Sequence, residues 1–206
     1  MFNGIVETIG TIISLNLRDN CKDFIITPHI PFLDINIGDS IAVNGVCLTV
    51  TSFSDKQFCV KAVPETLRLT NLDVLAVNDI VNLERAMQPT SRIGGHYVQG
   101  HIDNKSQILE IHHDQSSALI VKISIEKKLT KYIVDKGFIT LDGMSITIIE
   151  STPTWFTVTL IPHTQQVTIA HQYRVGSWIN IEVDMMAKYI EKLVGVYTHA
   201  PINQVG

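Results

Sequence analysis

The chain has 206 residues, 45% hydrophobic and 17% charged, with 16 Lys+Arg against 20 Asp+Glu and a formal net charge of −4. This is a globular composition, long enough for one large domain or two small ones, each with its own core. The lack of a basic excess argues against a nucleic-acid binder, and no apolar run approaches the ~20 residues that a membrane-spanning helix needs.

The 3 cysteines (Cys21, Cys47 and Cys59) are odd in number and lack CxxC spacing. They argue against a disulfide framework or a thiolate zinc site, and for a reducing compartment. The start, MFNGIVETIG, has neither a basic region nor a continuous apolar core. No signal peptide is expected, and the cytoplasm is the default location.

Along the chain, short β-rich segments are separated by Gly, Asn, Asp and Pro. GIVETIGTIISL, FIITP, SIAVNGVCLTVTSF, FCVKAVP and DIVNLERA fill the first half. GHIDNKSQILEI, ALIVKISI, FITLDGMSITIIES, FTVTLIP and WINIEVD fill the second. Strands at this spacing predict a sandwich or barrel rather than alternating βα units. The two halves also share one order at a nearly fixed offset. Ser145 follows Cys47 by 98 residues (145 − 47 = 98), and Thr147, Pro162 and Glu182 stand at the same distance from Thr49, Pro64 and Glu84. Gly100 follows Gly4 by 96 (100 − 4 = 96). A solenoid repeat would be much shorter; this period is that of an all-β domain duplicated in tandem.

Within each repeat one strand carries small polar side chains opposite its apolar face. In VNGVCLTV, Asn44-Gly45 supplies a tight turn, after which Val46, Leu48 and Val50 alternate with Cys47 and Thr49. In LDGMSITI, Met144, Ile146 and Ile148 alternate with Ser145 and Thr147. Taken alone, Cys47 reads as a small buried hydrophobe and the hydroxyls as ordinary strand residues. The junction RIGGHYVQGHID has Gly94 and Gly95, which let the backbone turn or a ligand approach closely. His96 and His101, five apart, would point to opposite faces of a strand and so not chelate one metal. His101 stands where the first repeat has Ile5 (101 − 5 = 96), which marks it as specialised for proton transfer. In AVPETLRLTNL and LIPHTQQVTIA a proline ends a strand before a polar pair, Glu65-Thr66 or His163-Thr164. Such strand ends offer polar groups to a flat ligand.

The tail DMMAKYIEKLVGVYTHA places Met186, Ile190, Leu193 and Tyr197 in one apolar stripe of a helix. The stripe fits either packing on the helix's own barrel or meeting its counterparts in other subunits. GxGxxG, Walker, GxSxG and HExxH sequences are absent, so a dinucleotide cofactor or a zinc hydrolase has no support.

MFNGIV, NGVCLTV, ETLRLTNL, IGGHYVQGHID and KGFITLDGMSIT together closely resemble the riboflavin synthase family, and the likeness runs from Met1 into the EVDMMAKYIEKL tail. The resemblance implies an all-β fold of two tandem six-stranded Greek-key barrels followed by a C-terminal α-helix. The expected divisions are 1–96 and 97–186 for two lumazine-binding barrels and 187–206 for a trimerisation helix and tail. It implies a homotrimer whose site lies between the N-terminal barrel of one subunit and the C-terminal barrel of another. There two molecules of 6,7-dimethyl-8-ribityllumazine would exchange a four-carbon unit. The products would be riboflavin and 5-amino-6-(D-ribitylamino)uracil, with no cofactor and no metal.

Carried over by motif, the reacting region comprises Cys47 and Ser40 from the first barrel with His101 and Thr147 from the second, assisted by Asp184. His101 is expected to transfer the proton of the acidic C7 methyl of one lumazine. Cys47, Ser40 and Thr147 are expected to position or supply the nucleophile added to the other. The family's lumazine-contacting segments fall on Gly4, Ile5 and Val6, on Cys47, Leu48 and Thr49, and on Gly100, His101 and Ile102. They continue on Lys61, Ala62, Val63, Pro64, Glu65 and Thr66, and on Lys136 with Ser145, Ile146 and Thr147. The last runs from Ile161 and Pro162 through His163, Thr164, Gln165 and Gln166. Two positions depart from the family pattern: Asn3 replaces a common threonine, and His163 a usual glutamate. The rival of the same fold is a lumazine-binding antenna protein without turnover, which has no need of Cys47 or His101. A duplicated nucleic-acid module is disfavoured by the charge.

Overall fold

The computed structural model describes the backbone of residues 1–198 and the side chains of residues 1–194. The first repeat forms β1 (Thr8–Arg18), β2 (Cys21–Pro28), β3 (Ser40–Val43), β4 (Val46–Phe53), β5 (Phe58–Ala62) and β6 (Ile80–Arg85). These close into an antiparallel barrel in the order β1-β2-β5-β4-β3-β6. The second repeat forms β7 (Asn104–His113), β8 (Leu119–Ser124), β9 (Phe138–Leu141), β10 (Met144–Ser151), β11 (Trp155–Leu160) and β12 (Trp178–Val183). It closes in the equivalent order, β7-β8-β11-β10-β9-β12. In each barrel three hairpin-linked strands are followed by one that returns beside the first of them, which is a Greek key. Closure leaves no unpaired edge.

The alternation read from the sequence sets the faces. Val46, Leu48 and Val50 point into the first core, with Phe24, Phe58 and Leu83, while Cys47 is half-buried and Thr49 exposed. Met144 and Ile148 do the same in the second, with Ile123, Phe156 and Ile181. The bulges recur too. Strand register slips at Ile12/Ser14 and Val50/Ser52, and again at Ile108/Glu110 and Ile148/Glu150.

The prolines follow strand ends, as expected, β5 stopping at Ala62 and β11 at Leu160, and they also open short helices, α1 (Pro64–Leu69) and α2 (Pro162–Val167). Proline suits a first helical turn because its missing N–H has no partner to lose there. The tail forms α3 (Met185–Thr198). Its polar side faces the second barrel: Lys188 pairs with Asp103 at 2.6 Å, and Glu191 contacts Lys131 and Tyr132. Its apolar stripe points away, with Met186, Ile190 and Leu193 respectively 54%, 56% and 62% exposed. Packing on its own barrel is therefore not what the stripe does. The side chain of Tyr197 and residues 199–206 lie outside the described residues. No helix among the described residues is long and apolar enough to cross a membrane.

The barrels meet back to back at their two equivalent hairpin turns. Asn44-Gly45 and Asp142-Gly143 all have positive φ (45°, 76°, 44° and 85°), the type I′ geometry that Asn-Gly and Asp-Gly favour. A Cβ on Gly45 would fall 2.6 Å from the Gly143 nitrogen, so the turns touch through backbone. Around them the contacts obey a two-fold pattern. Asn82 Nδ2 donates to Asp142 O, and Asn180 Nδ2 to Asn44 O, each at 2.8 Å. Asn82 Oδ1 accepts from Ile169 N at 2.8 Å, and Asn180 Oδ1 from Asn71 N at 2.7 Å. Buried amides with both ends satisfied fix the relative placement of the two cores.

Candidate active site

At the start of both repeats the chain reaches across to the other barrel. Residues before Thr8 and before Asn104 are not barrel strand but straps, joined to each other by a Phe2–Val98 bridge, and they exchange partners. Gly4 O accepts from Ser145 N of the second barrel at 2.8 Å, and Gly100 O from Cys47 N of the first at 2.9 Å. Val6 packs against the second core, and Ile102 against the first. Both glycines are required. Each has positive φ, +72° and +79°, and an added Cβ would come within 2.6 Å of the Cβ of Ser145 or Cys47.

Two equivalent sites result. The first joins β4 residues Cys47, Leu48 and Thr49 to the strap Gly100, His101 and Ile102. Ser40 lies directly across from Thr49. Lys61, Ala62 and Val63 lead from β5 to Pro64, Glu65 and Thr66 at the head of α1. The second joins Ser145, Ile146 and Thr147 of β10 to Gly4, Ile5 and Val6, with Ile161 and the α2 residues Pro162, His163, Thr164, Gln165 and Gln166 equivalent to 63–68. His101, grouped by sequence with the second barrel, thus lies on the first, one residue from the Cys47 contact. Thr147 stays on the second. Each site presents exposed apolar surface, from Val63 in one and from Ile5 and Ile161 in the other.

Other residues have defined places. Glu65 is engaged by Arg68 at 2.6 Å, which holds its exposed carboxyl below the usual range. In the second site His163 and Gln166 stand there instead, and Gln165 Nε2 is committed to Leu160 O and Ser117 O. Lys136 has φ +67° where the first repeat has Gly38 (136 − 38 = 98), at φ +95°. Asp184 accepts from Met186 N at 2.9 Å at the head of α3.

The sequence alone missed three groups. His96 is buried, with Nδ1 2.7 Å from Ser145 Oγ and Nε2 3.2 Å from Thr140 Oγ1, and stacks on Phe138 with centroids 5.2 Å apart. Burial lowers its pKa, against the charge of Asp184, which pulls it back up. A neutral ring between two hydroxyls accepts from one and donates to the other. Gly95 is the local signal, since a Cβ there would strike Asn3 O and the Ser145 side chain; chain, not ligand, makes the close approach. The other two groups are the buried carboxylates. Glu84 accepts from the N–H groups of Asn3 and Gly4 at 2.6 and 3.1 Å, and Glu182 from those of Gln99, Gly100 and His101 at 2.7, 2.8 and 3.0 Å. Burial pushes both up to about 7, against these N–H bonds, which favour the charged form.

Twin barrels whose strand-and-strap sites repeat about a two-fold define a tandem lumazine-binding-domain protein, and the family model described as "Lumazine binding domain" matches residues 3–86 and 99–184. The riboflavin synthase of Bacillus subtilis (strain 168) is 43% identical over 194 residues, covering 94% of this chain and 90% of its own. That of Bacillus amyloliquefaciens is 43% identical over 204 residues, covering 99% and 94%. Among solved structures, LumP complexed with riboflavin has a TM-score of 0.82 at 26% identity, covering 89% of this chain and all of its own. The chain belongs to the riboflavin synthase family.

Proposed function

We infer that the chain catalyses the riboflavin synthase reaction: two molecules of 6,7-dimethyl-8-ribityllumazine give riboflavin and 5-amino-6-(D-ribitylamino)uracil by transfer of a four-carbon unit. The observation that carries it is the doubled site. A reaction between two copies of one substrate needs two like sites with different reacting groups. The chain supplies Cys47 with His101 in one, and Ser145 with Ile5 in the other. Orientation of two bound copies is worth roughly 7–11 kcal/mol at best, which is much of such a reaction's barrier.

In this reading the first site, with Ser40, Cys47 and Thr49 on neighbouring strands, holds one lumazine under the His101 strap. His101 takes or returns the proton of the C7 methyl. Cys47, Ser40 and Thr147 position or supply the nucleophile added to the partner lumazine, and Asp184 assists through His96. Lys136, exposed at its strained position, reaches the ligand.

We place the reacting pair between the first barrel of one subunit and the second barrel of another, in a homotrimer. The exposed stripe of Met186, Ile190 and Leu193 supports this, since ion pairs on the other side of α3 leave it free for counterpart helices. Ile190→Asp with Leu193→Asp should give monomers by sedimentation and lose turnover while riboflavin still binds. We place the enzyme in the cytoplasm, on the odd number of cysteines and their lack of CxxC spacing.

The deciding experiment is incubation of the purified protein with 6,7-dimethyl-8-ribityllumazine alone, followed by its absorbance. Formation of riboflavin is expected. Tight binding without riboflavin would replace the enzyme with an antenna-type binder.

A further inference from the structure

Glu84 and Glu182 are anchored in one barrel and bonded to a strap that serves the other. Glu84 lies on β6, opposite Ala42 of the first barrel, and collects Asn3 and Gly4 N–H. Gly4 then delivers its carbonyl to Ser145 in the second barrel. Glu182 lies on β12, opposite Thr140 of the second barrel, and collects Gln99, Gly100 and His101 N–H. Gly100 then delivers its carbonyl to Cys47 in the first. Each strap afterwards returns to its own barrel, where Glu7 accepts from Arg85 N at 2.7 Å and Asp103 from Val183 N at 3.0 Å.

We propose that Glu84 and Glu182 are positioning residues that act across the duplication, each holding in register the strap that completes the opposite barrel's lumazine site. For the ligand itself this rests on the function proposed above. The chemistry is specific to a carboxylate. Several N–H donors converge on two oxygens, and no neutral side chain of the same size offers two acceptors. A glutamine must turn its NH2 toward at least one donor. Integrity of the Cys47 site therefore depends on a residue of the second barrel, and that of the Ser145 site on a residue of the first.

The test is amide hydrogen exchange on the full-length protein without ligand, read at Cys47 and Ser145, whose N–H groups bond the straps. Glu182→Gln should speed exchange at Cys47 by about tenfold or more, as loss of a buried charge-assisted bond implies, and leave Ser145 unchanged. Glu84→Gln should do the reverse. A merely structural role would instead loosen the barrel that bears the residue, at Thr140 for Glu182 and Ala42 for Glu84. That pattern, with Cys47 and Ser145 unmoved, overturns the proposal. Where a glutamine variant does not fold, Glu182→Asp or Glu84→Asp keeps the charge, shortens its reach and is read at the same amides. A riboflavin titration followed at the same two amides should show weakened binding only at the opposite barrel's site. Crossed exchange effects without riboflavin binding at either site would leave the strap assignment standing and overturn the lumazine reading instead.

Discussion

The two sites share a backbone and differ in what surrounds their central side chain. Cys47 packs against Phe2, Ala42 and Val98, an apolar nest, beneath a strap that carries His101. Ser145 lies between the Ile5 strap and the buried His96–Thr140 pair. Duplication thus preserved the strand-and-strap scaffold, while the place of the imidazole differs: on the strap in one site, behind the strand in the other. Identical substrates with unequal fates call for this combination.

The largest expected effect comes from the group without a counterpart. His101→Ala should lower kcat by about 10²–10⁴, the usual worth of a positioned acid–base group, with little change in KM. Ile5→Ala, its equivalent across the duplication, should instead raise KM with kcat nearly kept. Similar losses in both would erase the distinction between the sites.

Next come the glycines. Gly100→Ala forces a Cβ to within 2.6 Å of Cys47 Cβ at φ +79°, and Gly4→Ala does the same at Ser145. Strain and overpacking together should cost about 2–4 kcal/mol in each, seen in urea denaturation. Riboflavin binding should fall at the Cys47 site for the first variant and at the Ser145 site for the second.

A smaller effect separates the central residues. Ser145→Ala leaves His96 Nδ1 without its partner in a buried place, costing about 1–3 kcal/mol. Cys47→Ala removes one sulfur from an apolar contact and should stay under about 1.5 kcal/mol. Equal losses would mean that the His96 bond adds nothing.

Much of this is legible in the sequence. The 98-residue offset of Cys47/Ser145, Pro64/Pro162 and Glu84/Glu182 carries the duplication, and strand alternation carries the faces. The exchange of straps was not legible, because a Gly-turn records that the chain bends and not which barrel it reaches. The 96-residue offset of the straps continues through β1 and β7, so it carries no trace of the exchange. In the sequence His96 is only the member of a histidine pair that faces away from His101. Its value lies in Ser145 and Thr140, both distant in sequence. Glu84 and Glu182 served as alignment marks because nothing local distinguishes a buried carboxylate from a surface one.

The smallest predicted effect tests the unequal pair of turn residues at the barrel junction. Asn44 and Asp142 occupy equivalent turns, yet Asp142 is an acid buried among Asn71, Asn180 and Tyr173, whose hydroxyl donates to it at 2.8 Å. Burial pushes it up to about 7 despite these bonds. An exposed aspartate titrates near 3.9, so the folded state holds the proton more tightly. Its contribution to stability is complete at low pH and is lost as pH rises through about 7. Glu84 and Glu182 act in the same direction, and His96, lowered from 6.5, in the opposite one. All three are common to wild type and Asp142→Asn and cancel in the difference. The variant copies the first repeat, where asparagine already fills the turn, and its NH2 finds the Tyr173 oxygen as acceptor. Its Tm should therefore fall less steeply than that of wild type between about pH 4 and 7, by scanning calorimetry. Parallel Tm profiles would mean that Asp142 is ionised throughout, and that the amides and Tyr173 hold its charge more strongly than burial opposes it.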